Sequence, residues 1–159
     1  MFEYLARCTG VRCDGFFRKW FSSNGGVAYV YVDRSTDPGS NEAPSRIQGI
    51  GAIRACANGF RIGPLFASNA KIARTLLAAL SFFPVNDAVS VNRSSAPNAV
   101  TSVSLDVPDG NDSAVELVQR MGWNATGGAV RMYHCTDAND RPAALLDTWF
   151  GMWNLEVGP

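Results

Sequence analysis

The sequence predicts a mixed α/β (α+β) domain built around one sheet, and three observations carry that reading. Two runs at strand period, Val27–Val32 and Arg46–Cys56, flank a turn-rich segment, the pattern of an antiparallel hairpin. A third run, Phe60–Ala67, leads straight into a helical stripe and then into Val100–Val107. Such a strand–helix–strand crossover demands parallel pairing, so the sheet must mix both directions. The expected order is α β β β α β α β β, in a single domain over residues 1–159.

Each element has its own warrant. In Asp14–Ser22, Phe16, Phe17, Trp20 and Phe21 recur at helical spacing behind Asp14 as a cap, and this aromatic face reads as core packing. Val27, Tyr29 and Tyr31 alternate with Ala28, Val30 and Val32, and Ile47, Gly49 and Gly51 set the second strand. Asp33–Ser45 and Asn86–Asn98 are dense in Ser, Asp, Pro, Gly and Asn and read as loops. Pro64 removes a ladder donor from the third strand, which must bulge or lie at an edge there. Ile72, Leu76, Leu77, Leu80 and Phe83 form the stripe of a helix over Asn69–Phe82, with Ser68 as its cap. Val103 and Leu105 alternate with Ser102 and Ser104. A helix over Asp112–Met121 follows, with Ala114, Leu117, Val118 and Met121 on one face and Ser113 and Glu116 at capping-box spacing. Gly122 ends it, and Ala129–Cys135 and Met152–Val157 supply two final strands.

Composition narrows the function classes. A chain of 159 residues, 47% apolar and 18% charged, buries roughly 68–70% of its unfolded surface, enough for a core without crosslinks. Fourteen basic and fourteen acidic side chains cancel, so no net positive field favours nucleic acid or an anionic membrane. The longest apolar stretch, Leu76–Val85, is broken by Ser81 and Pro84 and falls short of the ~20 residues a membrane span needs. Met1–Gly10 carries Glu3 and Arg7 and lacks a basic leader and cleavage site, which points to the cytoplasm. Cys8, Cys13, Cys56 and Cys135 form no Cys-x-x-Cys pair and read as reduced; with His134 the only histidine, no metal site is expected.

Two strand-to-helix junctions, Leu65–Ala73 and Asp106–Ser113, lie side by side at the carboxyl ends of parallel strands, where open α/β sheets bind ligands. Free N–H groups at the first helix start suit a phosphate, or else Ser68 takes them itself. Pro108, Asp109, Gly110 and Asn111 make the second junction a tight turn. Asp106 is either a loop anchor or a base. His134, between Tyr133 and Cys135 on a strand, reads first as a surface or hydrogen-bonded histidine and second as a base. Trp149, Phe150 and Trp153 lack interleaved basic residues and read as a packed core or lid.

The stretch NDSAVELVQRMGW, Asn111–Trp123, resembles the N-x-x-A-x-x-L-Y-x-x-x-G-F segment of the GNAT acyltransferase superfamily at Asn111, Ala114, Leu117 and Gly122. GFRIGPLFA at Gly59–Ala67, LDVPDGN at Leu105–Asn111, RMY at Arg131–Tyr133 and FGMWNLEVG at Phe150–Gly158 are together similar to the C-terminal domain of YitH-like GNAT acetyltransferases. The likeness runs from about Val11 to the C-terminus.

The resemblance implies a GNAT-like fold whose central strands splay apart, so that acetyl-CoA enters the gap and pairs with open backbone at Leu65 and Phe66. It implies N-acetylation of a primary amine on a small molecule or peptide. In that family the domain follows another GNAT-like domain, which implies association with one; a non-catalytic interaction or regulatory module is the alternative. The pyrophosphate loop falls on Ser68, Asn69, Ala70, Lys71, Ile72 and Ala73, where only Ala73 keeps the family pattern. Lys71 replaces a glycine and either crowds the anion or pairs with it. Asn111 joins the cofactor contacts. The tyrosine that protonates the departing thiolate falls on Val118, which has no proton to give, so Asp106, Tyr133 and His134 become the candidate acids and bases, with Glu116 beside them. Holding amine and thioester together supplies up to ~7–11 kcal/mol by itself.

Overall fold

The computed structural model describes residues 1–22, 26–33, 46–56, 59–82, 102–128 and 146–151. Its sheet comprises β1 (Val27–Asp33), β2 (Arg46–Cys56), β3 (Gly59–Ala67), β4 (Val103–Leu105) and β5 (Trp149–Gly151). The helices are α1 (Phe2–Thr9), α2 (Asp14–Ser22), α3 (Ala70–Ser81) and α4 (Asp112–Arg120), and a 3-10 turn, Leu146–Thr148, precedes β5. The predicted mixed sheet is present. β1 and β2 pair antiparallel, β2 and β3 antiparallel, and β3 and β4 parallel across the α3 crossover. Asp33, predicted to open the loop Asp33–Ser45, instead closes β1 opposite Arg46; the rest of that loop, the loop predicted at Asn86–Asn98 and the strands predicted at Ala129–Cys135 and Met152–Val157 lie outside the described residues.

Pro64 has the predicted effect. The β2–β3 register passes from Gly51↔Leu65 to Ile53↔Ile62, so Ala52 alone faces Gly63 and Pro64. This is a bulge in an interior strand, since β3 also pairs with β4 and β5. The bond between Gly63 and Pro64 is cis. The freed Gly63 carbonyl accepts a hydrogen bond from the indole of Trp20 at 3.1 Å, which seats α2 on the sheet.

Successive β3 side chains point to opposite faces, and the two faces carry two cores. Ile62 and Leu65 pack with Ile72, Ala73, Leu76, Leu77 and Leu80 of α3 and with Ala114 and Leu117 of α4. The α3 stripe is thus the one predicted, apart from Phe83, which lies outside the described residues. Phe66 and Ile50 pack on the other face with Phe17 of α2 and with Tyr4, Leu5 and Cys8 of α1. The aromatic face of α2 is therefore core packing. α1 is an element beyond the predicted order, formed where Tyr4, Leu5 and Cys8 repeat at helical spacing and are buried. The Tyr4 hydroxyl donates to the Gln48 carbonyl at 3.0 Å and ties α1 to β2.

Glycines let α3 lie close on β2. A Cβ on Gly49 would sit 2.8 Å from Ile72 Cγ2 and Leu76 Cδ1, and one on Gly51 would sit 2.8 Å from Leu65 and Leu80 methyls. Gly49→Val should therefore lower the free energy of unfolding by about 1–3 kcal/mol. Gly15→Ala, in open space on α2, should raise it by roughly 0.5–1 kcal/mol. Urea denaturation of both variants checks the pair.

Burial raises the Cys8 thiol above its ordinary value, and burial next to Cys8 raises the Tyr4 phenol. A raised folded-state value means that the stability it supplies is whole below the unfolded-state value and is lost as pH climbs. Stability should fall from about pH 9 upward, near the ordinary thiol and phenol ranges. Tyr4→Phe should be less stable at pH 7, because it loses the bond to Gln48, yet show a shallower alkaline decline. Denaturation midpoints across pH 7–11 measure both effects.

Candidate active site

The central strands part as expected. β3 pairs with β4 at Phe60↔Val103, Arg61↔Ser104 and Ile62↔Leu105. Farther along, β3 pairs with β5 instead, at Leu65↔Gly151 and Phe66↔Trp149, with a register break between Leu65 and Phe66. The chain's own β5 therefore lies in the gap. A Cβ on Gly151 would meet Leu105 of β4 on one side and, at 3.0 Å, Leu65 Cβ of β3 on the other. Trp149 and Phe150 extend to opposite faces. Phe150 joins the α3–α4 core, while Trp149 packs edge-on against Phe66 at 5.6 Å and donates its indole N–H to the Cys8 carbonyl at 2.7 Å. The packed-core reading of these two aromatics thus holds, and Trp153 lies outside the described residues.

At the end of β3 the chain turns into α3. Ser68 was the expected cap, but Asn69 takes that role: its side-chain oxygen accepts from the Ile72 amide at 3.0 Å. Ser68 instead bonds to Gln48, through its backbone amide at 2.9 Å and its hydroxyl at 3.4 Å. The Ala73 amide closes the first helical bond, to the Asn69 carbonyl. Ala70 and Lys71 are left as the tip amides with neither an intrahelical acceptor nor the cap. Lys71 is exposed, while Ile72 and Ala73 are buried beneath it. Of the predicted cofactor contacts, Ser68, Asn69 and Lys71 thus cluster at an accessible helix tip. Leu65 and Phe66 are fully buried and paired to β5.

At the second junction, Asn111 caps α4 in place of the predicted Ser113–Glu116 box. Its oxygen accepts from the Ala114 amide at 3.1 Å. Its side-chain amide donates to the Asp147 carbonyl at 3.1 Å and the Trp149 carbonyl at 3.0 Å, so Asn111 holds β5 in the gap. Asp106, just past β4, faces Arg61 at 3.7 Å, and its other oxygen, Oδ2, is buried with no hydrogen-bond partner among the described residues. Val118 is half-buried on α4, and Glu116 pairs with Arg120 on the exposed side of that helix. Tyr133 and His134 lie outside the described residues.

A cavity of about 340 Å³ opens on the α1 face beside Ser68, with Tyr4, Arg7, Cys8, Arg46 and Thr148 in its wall. It adjoins the start of β5. Among the described residues, no group of three or more His, Cys, Asp or Glu side chains could hold a metal ion. Among them, too, no helix is long and apolar enough to cross a membrane. The part played by β5 was not visible in the sequence, because a local run of residues carries no signal for which distant strand it joins.

Asn111→Ala should cost about 2–4 kcal/mol, combining a cap of ~1 kcal/mol with two buried carbonyls left without their donor. Asn111→Asp keeps the cap acceptor but turns a carboxylate toward those carbonyls. It should be destabilised at pH 7 and partly recover near pH 4, where a protonated carboxyl can donate again. Chemical denaturation at both pH values separates the two roles.

Comparison with known proteins agrees with this architecture. No curated protein and no solved structure matches the chain. A sequence profile described as an acetyltransferase (GNAT) domain matches residues 1–146, which takes in α1 through α4. GNAT domains are acyltransferase domains that use acetyl-CoA as co-substrate. With a mixed sheet whose central strands part beside a helix tip, and a match over most of its length, the chain belongs to the GNAT acetyltransferase family.

Proposed function

We propose that the domain transfers the acetyl group of acetyl-CoA to a primary amine of a small molecule or peptide. The observation that carries this reading is the parting of β3 and β4 beyond Ile62 and Leu105, next to the tip of α3. The amides of Ala70 and Lys71 and the Lys71 ammonium suit the diphosphate of the co-substrate. The backbone of Leu65 and Phe66 suits its amide-bearing arm. The amine reaches the thioester from the cavity beside Ser68, where Arg7 and Arg46 favour an acceptor that also bears an acidic group. In the transfer the amine nitrogen bonds to the acetyl carbon, the carbon–sulfur bond breaks, and the proton lost by the amine balances the departing thiolate. Asp106, Tyr133 and His134 are the proposed proton carriers; for Asp106 this requires leaving the Arg61 pair.

A second reading rests on β5. A gap already filled by Trp149–Gly151 favours a non-catalytic module that associates with another GNAT-like domain, as the likeness to the YitH-like C-terminal domain implies. The cytoplasm is the proposed compartment in both readings, supported by the free thiols of Cys8, Cys13 and Cys56.

Calorimetric titration with acetyl-CoA, together with an assay for thiol release in the presence of primary amines, tests the first reading. Lys71→Ala should weaken acetyl-CoA binding about 10- to 100-fold, the range of a charge-assisted hydrogen bond. Unchanged binding in this variant would remove the diphosphate from the α3 tip, and tighter binding would mean that the lysine obstructs it.

A further inference from the structure

We infer that β5 is a displaceable strap: it holds the place of the acetyl-CoA arm, and the chain binds acetyl-CoA only as Trp149–Gly151 leaves the gap. The inference rests on the proposed acetyl-CoA site and adds its regulation. The physical reason lies in β3. Leu65 and Phe66 are fully buried, and buried backbone N–H and C=O groups require partners. On the side that β4 leaves after Ile62↔Leu105, β5 supplies the strand that pairs with them. An amide-bearing arm would need those same backbone groups, so strap and arm exclude each other. Gly151 fits only because it has no side chain, lodged as it is between Leu65 on β3 and Leu105 on β4.

Over its described residues the strap meets β3 at Leu65↔Gly151 and Phe66↔Trp149, with a register break between the two positions. Its seat depends on side-chain bonds at its amino end, from the Asn111 amide to the Asp147 and Trp149 carbonyls and from the Trp149 indole to the Cys8 carbonyl. The Asn111 oxygen meanwhile caps α4 and Cys8 lies on α1, so the state of the gap is tied to a helix on each face of the sheet.

Two full-length variants and hydrogen exchange test the inference. Gly151→Val drives a side chain into Leu65 and Leu105 and expels the strap. Trp149→Phe keeps an aromatic ring and removes the bond to Cys8. A binding-competent state that is only fractionally populated weakens apparent affinity by that fraction, so Gly151→Val should bind acetyl-CoA at least tenfold more tightly than the native chain, and Trp149→Phe severalfold more tightly. In the native chain, saturating acetyl-CoA should speed amide exchange over residues 147–151 while residues 65–67 stay protected. If the native chain saturates with residues 147–151 as protected as before, the strap is overturned and the transferase reading stands. If exchange shows the strap released in Gly151→Val and acetyl-CoA still does not bind, both fall. Should Gly151→Val lose protection throughout α3, Trp149→Phe and the native exchange data decide alone.

Discussion

The structure turns on the pairing of one buried strand. β3 runs through the middle of the sheet with β2 along one side, and its other side is divided between two partners, β4 near its start and β5 near its end. Backbone groups in a water-free interior cannot be left open without a cost of about 1–3 kcal/mol each. Wherever β4 turns away, something must therefore take its place. The two-against-one bulge at Gly63 and Pro64 lies between the two pairings, so the change of partner and the break in the ladder coincide.

The same division organises the packing. Alternation along β3 sends Leu65 to the α3–α4 side and Phe66 to the α1–α2 side, and β5 repeats the arrangement with Phe150 and Trp149. The strap thus wedges an aromatic ring into each core. α1 contributes twice on its face, through Tyr4 to the Gln48 carbonyl and through the Cys8 carbonyl to Trp149. Gln48 is shared in turn: its carbonyl also accepts from the Ser68 amide, so the seat of α1, the end of β3 and the approach to α3 meet at one residue.

For the chemistry, the distribution of groups matters more than any single side chain. The helix tip, the diverging strands and the cavity with its two arginines adjoin one another around Ser68. Among the described residues, the candidate proton-handling groups are engaged in ion pairs, Asp106 with Arg61 and Glu116 with Arg120. Valine at position 118 has no proton to give, so the proposed transfer draws on positioning and on the other candidate carriers.

Much of the fold was legible because it is local. The bounds of α2 and β2, the α3 stripe, the crossover to β4 and the bulge at Pro64 follow from side-chain period and from the missing proline donor, properties that a short stretch of chain carries whatever surrounds it. The caps fall one or two residues from the predicted serines: serine and asparagine both accept from a helix start, and here Gln48 of β2 engages Ser68 and leaves the cap to Asn69, while Asn111 caps α4 as it bonds to the Asp147 and Trp149 carbonyls. Tertiary structure alone decided that Trp149–Gly151 lies between β3 and β4. Strand pairing here joins Leu65 to Gly151, residues far apart in the chain, and no local pattern around Trp149–Gly151 encodes that partner. The sequence by itself determined that the ladder along β3 must break at Pro64, which has no amide to donate; which strand takes up the pairing beyond the break was decided by distant backbone groups competing for the same hydrogen bonds.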